Sequence, residues 1–493
     1  MGRASRFSGC PLLATGAFFA FQTLTGAAHA DGGLYAGVKG ARADGRAGAF
    51  VAKADDIAAV GINPAGLAKI GTTLIQLGNR FSYNQHTFLR NPTLDWSHQG
   101  QPPYTEFSKV SNGAPWQVLD PLLGVATNFG LKDWGFAAAV YSPAGVAREV
   151  YPDDGGQRYM MLRRNAQMIN YSLSAAWKFK ELFGLGVSLQ WIAVPTLDYS
   201  LIIEGNPVPQ AATNPVASST DIRTSVKGTD LFTLNAIVGG WLRAAPFLEF
   251  GASAQVIPSA IQTKSNISVA AVNGTDPVTL TRADKPADDV SLTLPLPITA
   301  RLGVRYIQQK DGKELFDIEL DGVYETWSRV DTFRLNANHL IGTYRKQEVP
   351  FDVVDIQKQW QNTIGVHLGG DLRIVDLFTA RGGVYYETAA SKPEYSNIDF
   401  AGGQHLGFAL GGSLHISKLE LAFAYEYRVQ PTVRVSDASS KVYQQTPGNP
   451  CTPPYTDAVN CSSQYPGRPA PPVNGGEYFA YSHVMALDGI YRF

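Results

Sequence analysis

Six charged residues, Arg301, Arg305, Asp317, Glu319, Asp321 and Arg381, sit at alternate positions of short segments, where a β-strand would place them on one face. Acids and bases gathered out of water more often neutralise one another than catalyse, because each ion needs a partner to offset its lost hydration. We read them as a polar network lining a lumen, with Arg301 and Arg305 meeting Asp317, Glu319 and Asp321 across adjacent strands. Ser413 and His415 share the same inward parity, and His367 and His405 also look inward, a set with the chemistry of acyl transfer. Side chains two apart on a strand rarely form an acid–base pair by themselves. No nucleophile elbow, HExxH, phosphate-binding loop or zinc pattern accompanies them. The chain is therefore read as having no catalytic residue, no metal ligand and no cofactor. Cys451 and Cys461, ten apart in a Pro-rich stretch, are assigned to a loop disulfide in an oxidising compartment.

The compartment follows from the first thirty residues. Arg3 and Arg6 precede an apolar run from Pro11 to Phe21 and then Ala28-His29-Ala30, the pattern of a leader (1–30) cleaved before Asp31. The whole chain has 41 basic and 42 acidic residues; removing the two leader arginines leaves 39 against 42, or −3. Bulk charge gives no support to nucleic-acid binding. After the leader no apolar run is long enough for a membrane helix.

From residue 71 to 493 alternating segments are joined by connections that are long and short in turn. We count fourteen strands, starting near Leu74, Leu122, Trp134, Gln167, Phe183, Leu231, Phe247, Ser291, Leu315, Asn362, Leu377, Gln404, Leu419 and Glu477. Long connections are expected near 90–118, 145–165, 204–228, 263–288, 333–358, 389–403 and 432–476. Phe316, Ile318, Leu320 and Tyr324 share one face while Asp317, Glu319, Asp321 and Glu325 share the other. One lipid-like face, one charged face and sorted loop lengths predict a fourteen-stranded antiparallel transmembrane β-barrel, multi-pass in the outer membrane of a Gram-negative bacterium.

Residues 31–70 fit no strand. Asn63 can cap a short helix with Pro64 at its first position, followed by Ala65, Gly66 and Leu67, and Gly45, Gly48 and Gly61 allow tight folding. Too small for its own core, this segment is expected to fold as a helical hatch inside the barrel. In the third strand Gly135, Ala137, Ala138 and Ala139 are small where strands prefer branched residues, and Ser142-Pro143 follows. That run reads either as a bulge or as a strand ending at Pro143.

The run GARADGRAGAFVAKADDIAAVGINPAGLAKI (40–70), SLTLPLPITARLGVRYI (291–307), DGVYETWSRV (321–330) and the final GIYRF resemble the FadL-type outer-membrane transporters of long-chain fatty acids and aromatic hydrocarbons. Ile62 stands where the family commonly has an aromatic residue. The resemblance implies passive transport of hydrophobic small molecules. Capture would occur at external loops 204–228 and 263–288, followed by hatch movement and lateral diffusion at a kinked third strand, with Gly135 to Pro143 as the gate. The terminal Phe493 resembles the signal read by the barrel assembly machinery, and outer-membrane lipids would surround the wall. A structural or adhesive barrel binding partners through its loops is the alternative.

Overall fold

The computed structural model describes residues 40–94, 104–143, 148–204, 221–272, 278–281, 289–344, 347–400, 402–444 and 472–493. The leader, residues 31–39, Cys451, Cys461 and most of 204–220 and 273–288 lie outside these.

Fourteen antiparallel strands close into one barrel. They are β1 (Leu74–Arg90), β2 (Pro121–Thr127), β3 (Trp134–Tyr141), β4 (Arg163–Phe179), β5 (Phe183–Glu204), β6 (Asp221–Ala245) and β7 (Leu248–Gln255, resuming as Ala260–Ala271). The circuit continues with β8 (Val290–Pro295, resuming as Thr299–Lys310), β9 (Lys313–Glu325), β10 (Thr363–Val375), β11 (Phe378–Glu387), β12 (His405–Ile416), β13 (Leu419–Val435) and β14 (Gly476–Arg492). Each strand pairs with the next, and β14 returns to β1 in an unshifted ladder from Leu74 opposite Arg492 to Arg90 opposite Gly476. A closed circuit leaves no unpaired edge inside a bilayer, where nothing else could satisfy the backbone.

Alternation decides which side chain goes where. On β9, Ile318, Leu320 and Tyr324 are exposed on the outer wall while Asp317, Glu319 and Asp321 are buried within. Leu302, Leu368, Leu410 and Leu487 repeat the outward pattern on other strands. Tight turns close one end. At Asp311-Gly312 both residues have positive φ, 54° and 75°, the geometry that matches strand twist in a two-residue hairpin.

The other end departs from the expected loops. Residues 332–357 form a hairpin, Thr332–Tyr344 against Gln347–Gln357, rather than an irregular connection. Likewise β6 begins at Asp221 and β7 runs to Ala271, so parts of two expected loops are strand. The reason is local: Phe333, Leu335 and Ala337 alternate toward the interior and are buried there, so pairing continues beyond the bilayer.

Candidate functional site

Residues 40–70 lie against the inward faces of the strands. They form the helices Ala41–Asp44 and Ala59–Ile62 and a 3-10 helix, Pro64–Lys69. Asn63 begins that last turn: its Oδ1 accepts the Ala65 N–H at 3.3 Å, while its Nδ2 donates to Val51 O at 2.9 Å and to Gly240 O at 3.0 Å. Ala65, Gly66 and Leu67 follow, all buried.

Carboxylates of β9 and β10 hold the middle of the segment. The Phe50 and Val51 N–H groups donate to Asp321 at 2.7 and 2.9 Å, and the Ala52 N–H donates to Glu319 at 2.5 Å. Arg46 Nη1 reaches Asp317 at 2.5 Å and Asp371 at 2.7 Å, with Nη2 on Glu319 at 3.0 Å. Lys53 adds Asp317 at 2.9 Å, and Lys69 pairs with Glu249 at 2.8 Å. Arg305 bridges Glu249, Glu314 and Asp317 at 3.3, 2.5 and 2.7 Å, and Arg381 joins Asp371 to Glu420, each at 3.3 Å. Such buried pairs fix geometry more than they stabilise, since both ions have lost water.

Arg301 differs from expectation. Its register partner on β9 is Val323, one inward position beyond Asp321, and the acid it influences electrostatically is Glu325. The cations that reach Asp317 and Glu319 instead include Arg46 and Lys53, hundreds of positions upstream. The Ser/His set is scaffold: Ser413 donates to Glu420 at 2.7 Å, His415 meets Thr379 at 2.9 Å, and His367 Nδ1 contacts Ala47 O at 2.8 Å.

Wall glycines let the backbones touch. A Cβ on Gly369 would lie 2.1 Å from Arg46 O, on Gly251 2.6 Å from Val51 O, on Gly186 2.4 Å from Ala65 N, and on Gly135 2.3 Å from Leu67 O. All four would clash with backbone, so no side chain fits.

Toward β2–β4 the contact changes character. Leu122, Ala126, Ala137, Ala139, Tyr141 and Ala176 pack on Ile57, Val60, Leu67 and Ala68. Beside them Ser188 Oγ lies 2.7 Å from Ser172 and 2.8 Å from Ser174, so these hydroxyls satisfy one another. Of the two readings of β3 the bulge is not there: its ladder is unshifted from Phe136 to Tyr141 against β2 and from Trp134 to Tyr141 against β4. The strand ends before Ser142, whose N–H donates to Pro121 O at 3.1 Å, and Pro143 lies beyond it. Gly135, Ala137 and Ala139 face inward, whereas Ala138 is exposed on the outer wall. Trp134 and Phe136 on the same parity could have revealed that from the sequence.

Above the segment is an apolar cluster that sequence reasoning missed. Trp327, Phe333, Trp360 and Phe400 meet edge to face, with centroids 5.1–5.6 Å apart. Ile192, Leu197, Leu292, Leu294 and Leu335 surround them. Within it the fully buried Lys358 pairs with Asp399, which also accepts from Tyr199 at 3.1 Å. Burial pushes the Lys358 ammonium below its usual range while Asp399 pulls it back. Arg164 lies 4.4 Å over the Phe400 ring with Nη2 on Glu149 at 3.0 Å. Its buried Nε and Nη1 have no hydrogen-bond partner among the described residues. His86 shares Glu149 at 2.7 Å and Tyr151 donates to it at 3.1 Å. The only sequence signal was the aromatic content of 327–360 and 400.

The fold has counterparts among solved structures. A Pseudomonas aeruginosa FadL homologue superposes with a TM-score of 0.68 at 16% identity, covering 95% of this chain and 100% of that one. The Pseudomonas putida toluene transporter TodX gives 0.62 at 13% identity, covering 92% and 98%. The Ralstonia pickettii toluene transporter TbuX gives 0.57 at 13%, with the same coverages. At these identities the likeness is one of fold. No curated protein matches the sequence. The family described as outer membrane protein transport protein (OMPP1/FadL/TodX) matches residues 21–460. The chain thus belongs to this outer-membrane family, whose members carry hydrophobic compounds, and is a transport protein rather than an enzyme.

Proposed function

We propose that the mature chain is a passive conduit for hydrophobic small molecules, with residues 31–70 as its hatch, residues 71–493 as its barrel and residues 1–30 as a cleaved leader. The observation that carries this reading is an aromatic-rich apolar cluster inside the barrel together with a segment bound to the lumen wall. A solute leaving water for this apolar cluster gains roughly 25 cal/mol for each Å² of apolar surface it buries. The edge-to-face rings suit alkyl and aromatic bodies, and the orphan Nε and Nη1 of Arg164 offer donors to an acceptor head. External loops 204–228 and 263–288, mostly outside the described residues, would deliver the solute to this cluster.

From this cluster the solute descends along the apolar contact between the hatch and β2–β4, where shifting the Leu67 side chain breaks no ion pair. The end of β3 at Tyr141, before Pro143, gives a short wall for lateral exit into outer-membrane lipids. Flux follows the gradient, and no nucleotide is needed. Phe493 would mark the chain for the barrel assembly machinery.

The test is uptake by liposomes or by cells lacking other carriers, offered a fatty acid, an alkane, toluene and a small polar solute. The full chain should speed at least one hydrophobic solute and exclude the polar one. No enhancement for any of the three would end the transport reading and favour the adhesive or structural barrel.

A further inference from the structure

A barrel built on alternation has a problem at its closure. In-and-out patterning specifies the parity of strand pairing but not its register, because a slip of two residues returns every side chain to the same face. The β1–β14 ladder, which joins the first and last strands, is therefore underdetermined by its apolar residues. A slip there would change the stagger of the whole cylinder.

Side chains from three separated regions meet at this seam. Asp488 of β14 stands opposite Gly78 of β1, and a Cβ on Gly78 would fall 2.1 Å from Asp488 Oδ1, so the carboxylate leans across the bare Cα. Its Oδ2 accepts the Ala41 N–H at 2.8 Å and the Gln76 side-chain amide at 2.8 Å. Gln76 Oε1 in turn accepts the Ile57 N–H at 3.0 Å. Four residues along β1, Arg80 pairs with Asp44 at 2.9 Å as well as with Asp120. Ala41 packs on Ala422, Ala424 and Ala486 of β13 and β14. Gln76 is fully buried and Asp488 nearly so, so each unmade bond would leave a polar group stranded.

We propose that residues 41–57 are an internal clasp that fixes the register in which β1 and β14 close. A slip of two would bring Asp488 opposite Arg80, an attractive ion pair. In the native register that competitor is removed, because Asp44 and Asp120 occupy Arg80 while Ala41 and Gln76 occupy Asp488. The segment thus acts on the barrel before it acts on any solute, and this role is independent of what the barrel carries.

Register can be read by cross-linking thiols on the outer wall with a short bifunctional reagent and mapping the product by mass. Native pairing sets Phe81 opposite Met485, whereas the slipped pairing would set Phe81 opposite Leu487. The full chain carrying F81C/M485C should cross-link and F81C/L487C should not. Adding Asp44→Ala and Gln76→Ala, which free Arg80 and Asp488 for each other, should raise the F81C/L487C product several-fold at the expense of the native one. Native product alone from the double variant, in protein that keeps the shifted gel mobility of an unboiled barrel, overturns the proposal. Should that variant give no folded barrel, Gly40→Val decides. It leaves every strand residue intact but places methyl groups where a Cβ already approaches Asp488 and Leu122 at 2.9 Å. Slipped product or failed closure from Gly40→Val supports the clasp, and undisturbed native closure sinks it.

Discussion

Two walls of the same barrel treat the segment of residues 40–70 in opposite ways. Along β9 and β10, buried carboxylates grip it by its backbone N–H groups and by Arg46 and Lys53. Along β2–β4 it rests on alanines, Leu122 and Tyr141. The difference is one of reversibility. Parting an apolar contact returns area to water or to a hydrophobic solute, which replaces what was lost. Parting a buried ion pair strands two charges, and no oily solute can compensate for that. On the proposed reading the same segment is anchored on one side and yielding on the other, with the charge on the side that stays fixed.

The largest effect that would break this contrast is on the anchored side. Arg46→Ala leaves Asp317, Glu319 and Asp371 without the guanidinium that touches all three, and losing one partner of a buried network costs about 3–5 kcal/mol. The hatch should loosen as a whole, so small polar solutes should leak through liposomes bearing the variant. The barrel itself should still show its shifted mobility unboiled. If the variant stays tight to polar solutes, the carboxylates of β9 are not the anchor.

A middle-sized effect tests the yielding side. Ala139 faces the hatch and Ala138 the lipid, one residue apart on an unshifted strand. Ala139→Leu should slow hydrophobic uptake several-fold by filling the contact, whereas Ala138→Leu should leave rate and folding unchanged. Equal rates in the two variants would remove β3 from the route.

Much of the barrel was legible because its cause is local. Asp317, Glu319 and Asp321 alternating with Ile318 and Leu320 need only a strand and a lipid boundary to know their faces. Asp311-Gly312 needs only its own φ angles. The partner of those acids was not legible. Arg305 across the neighbouring strand was visible from spacing, but Arg46 is brought to Asp317 by chain closure, and a sequence gives no distance across a lumen. Arg301 was misjudged for the same reason: parity placed it inside, yet its height above the acids depends on register. The glycines carried a usable signal, since Gly186, Gly251 and Gly369 occupy inward mid-strand positions where a barrel would otherwise fill its interior. The aromatic cluster stayed hidden because Thr332–Gln357, read as loop, had no face to assign.

The smallest effect sharpens the contrast. Ser172, Ser174 and Ser188 form one polar group beside the yielding wall, and their hydroxyls bond one another. Ser188→Ala removes one member and leaves Ser172 and Ser174 still 3.2 Å apart, so the loss should be about 1 kcal/mol or less. Barrel stability and polar exclusion should be unaltered, and hydrophobic uptake should hold or rise as the wall becomes less polar. Ser188→Asp reverses the chemistry at the same place by adding a buried charge with no cation beside it in this serine group. A solute that slides along this wall must then pass a carboxylate, so its uptake should fall while polar exclusion is kept. Were Ser188→Ala to open a polar leak, the serines would be part of the anchor and the two walls would differ less than their composition implies. Were Ser188→Asp to leave hydrophobic flux untouched, the solute would be descending somewhere other than between Leu67 and β3.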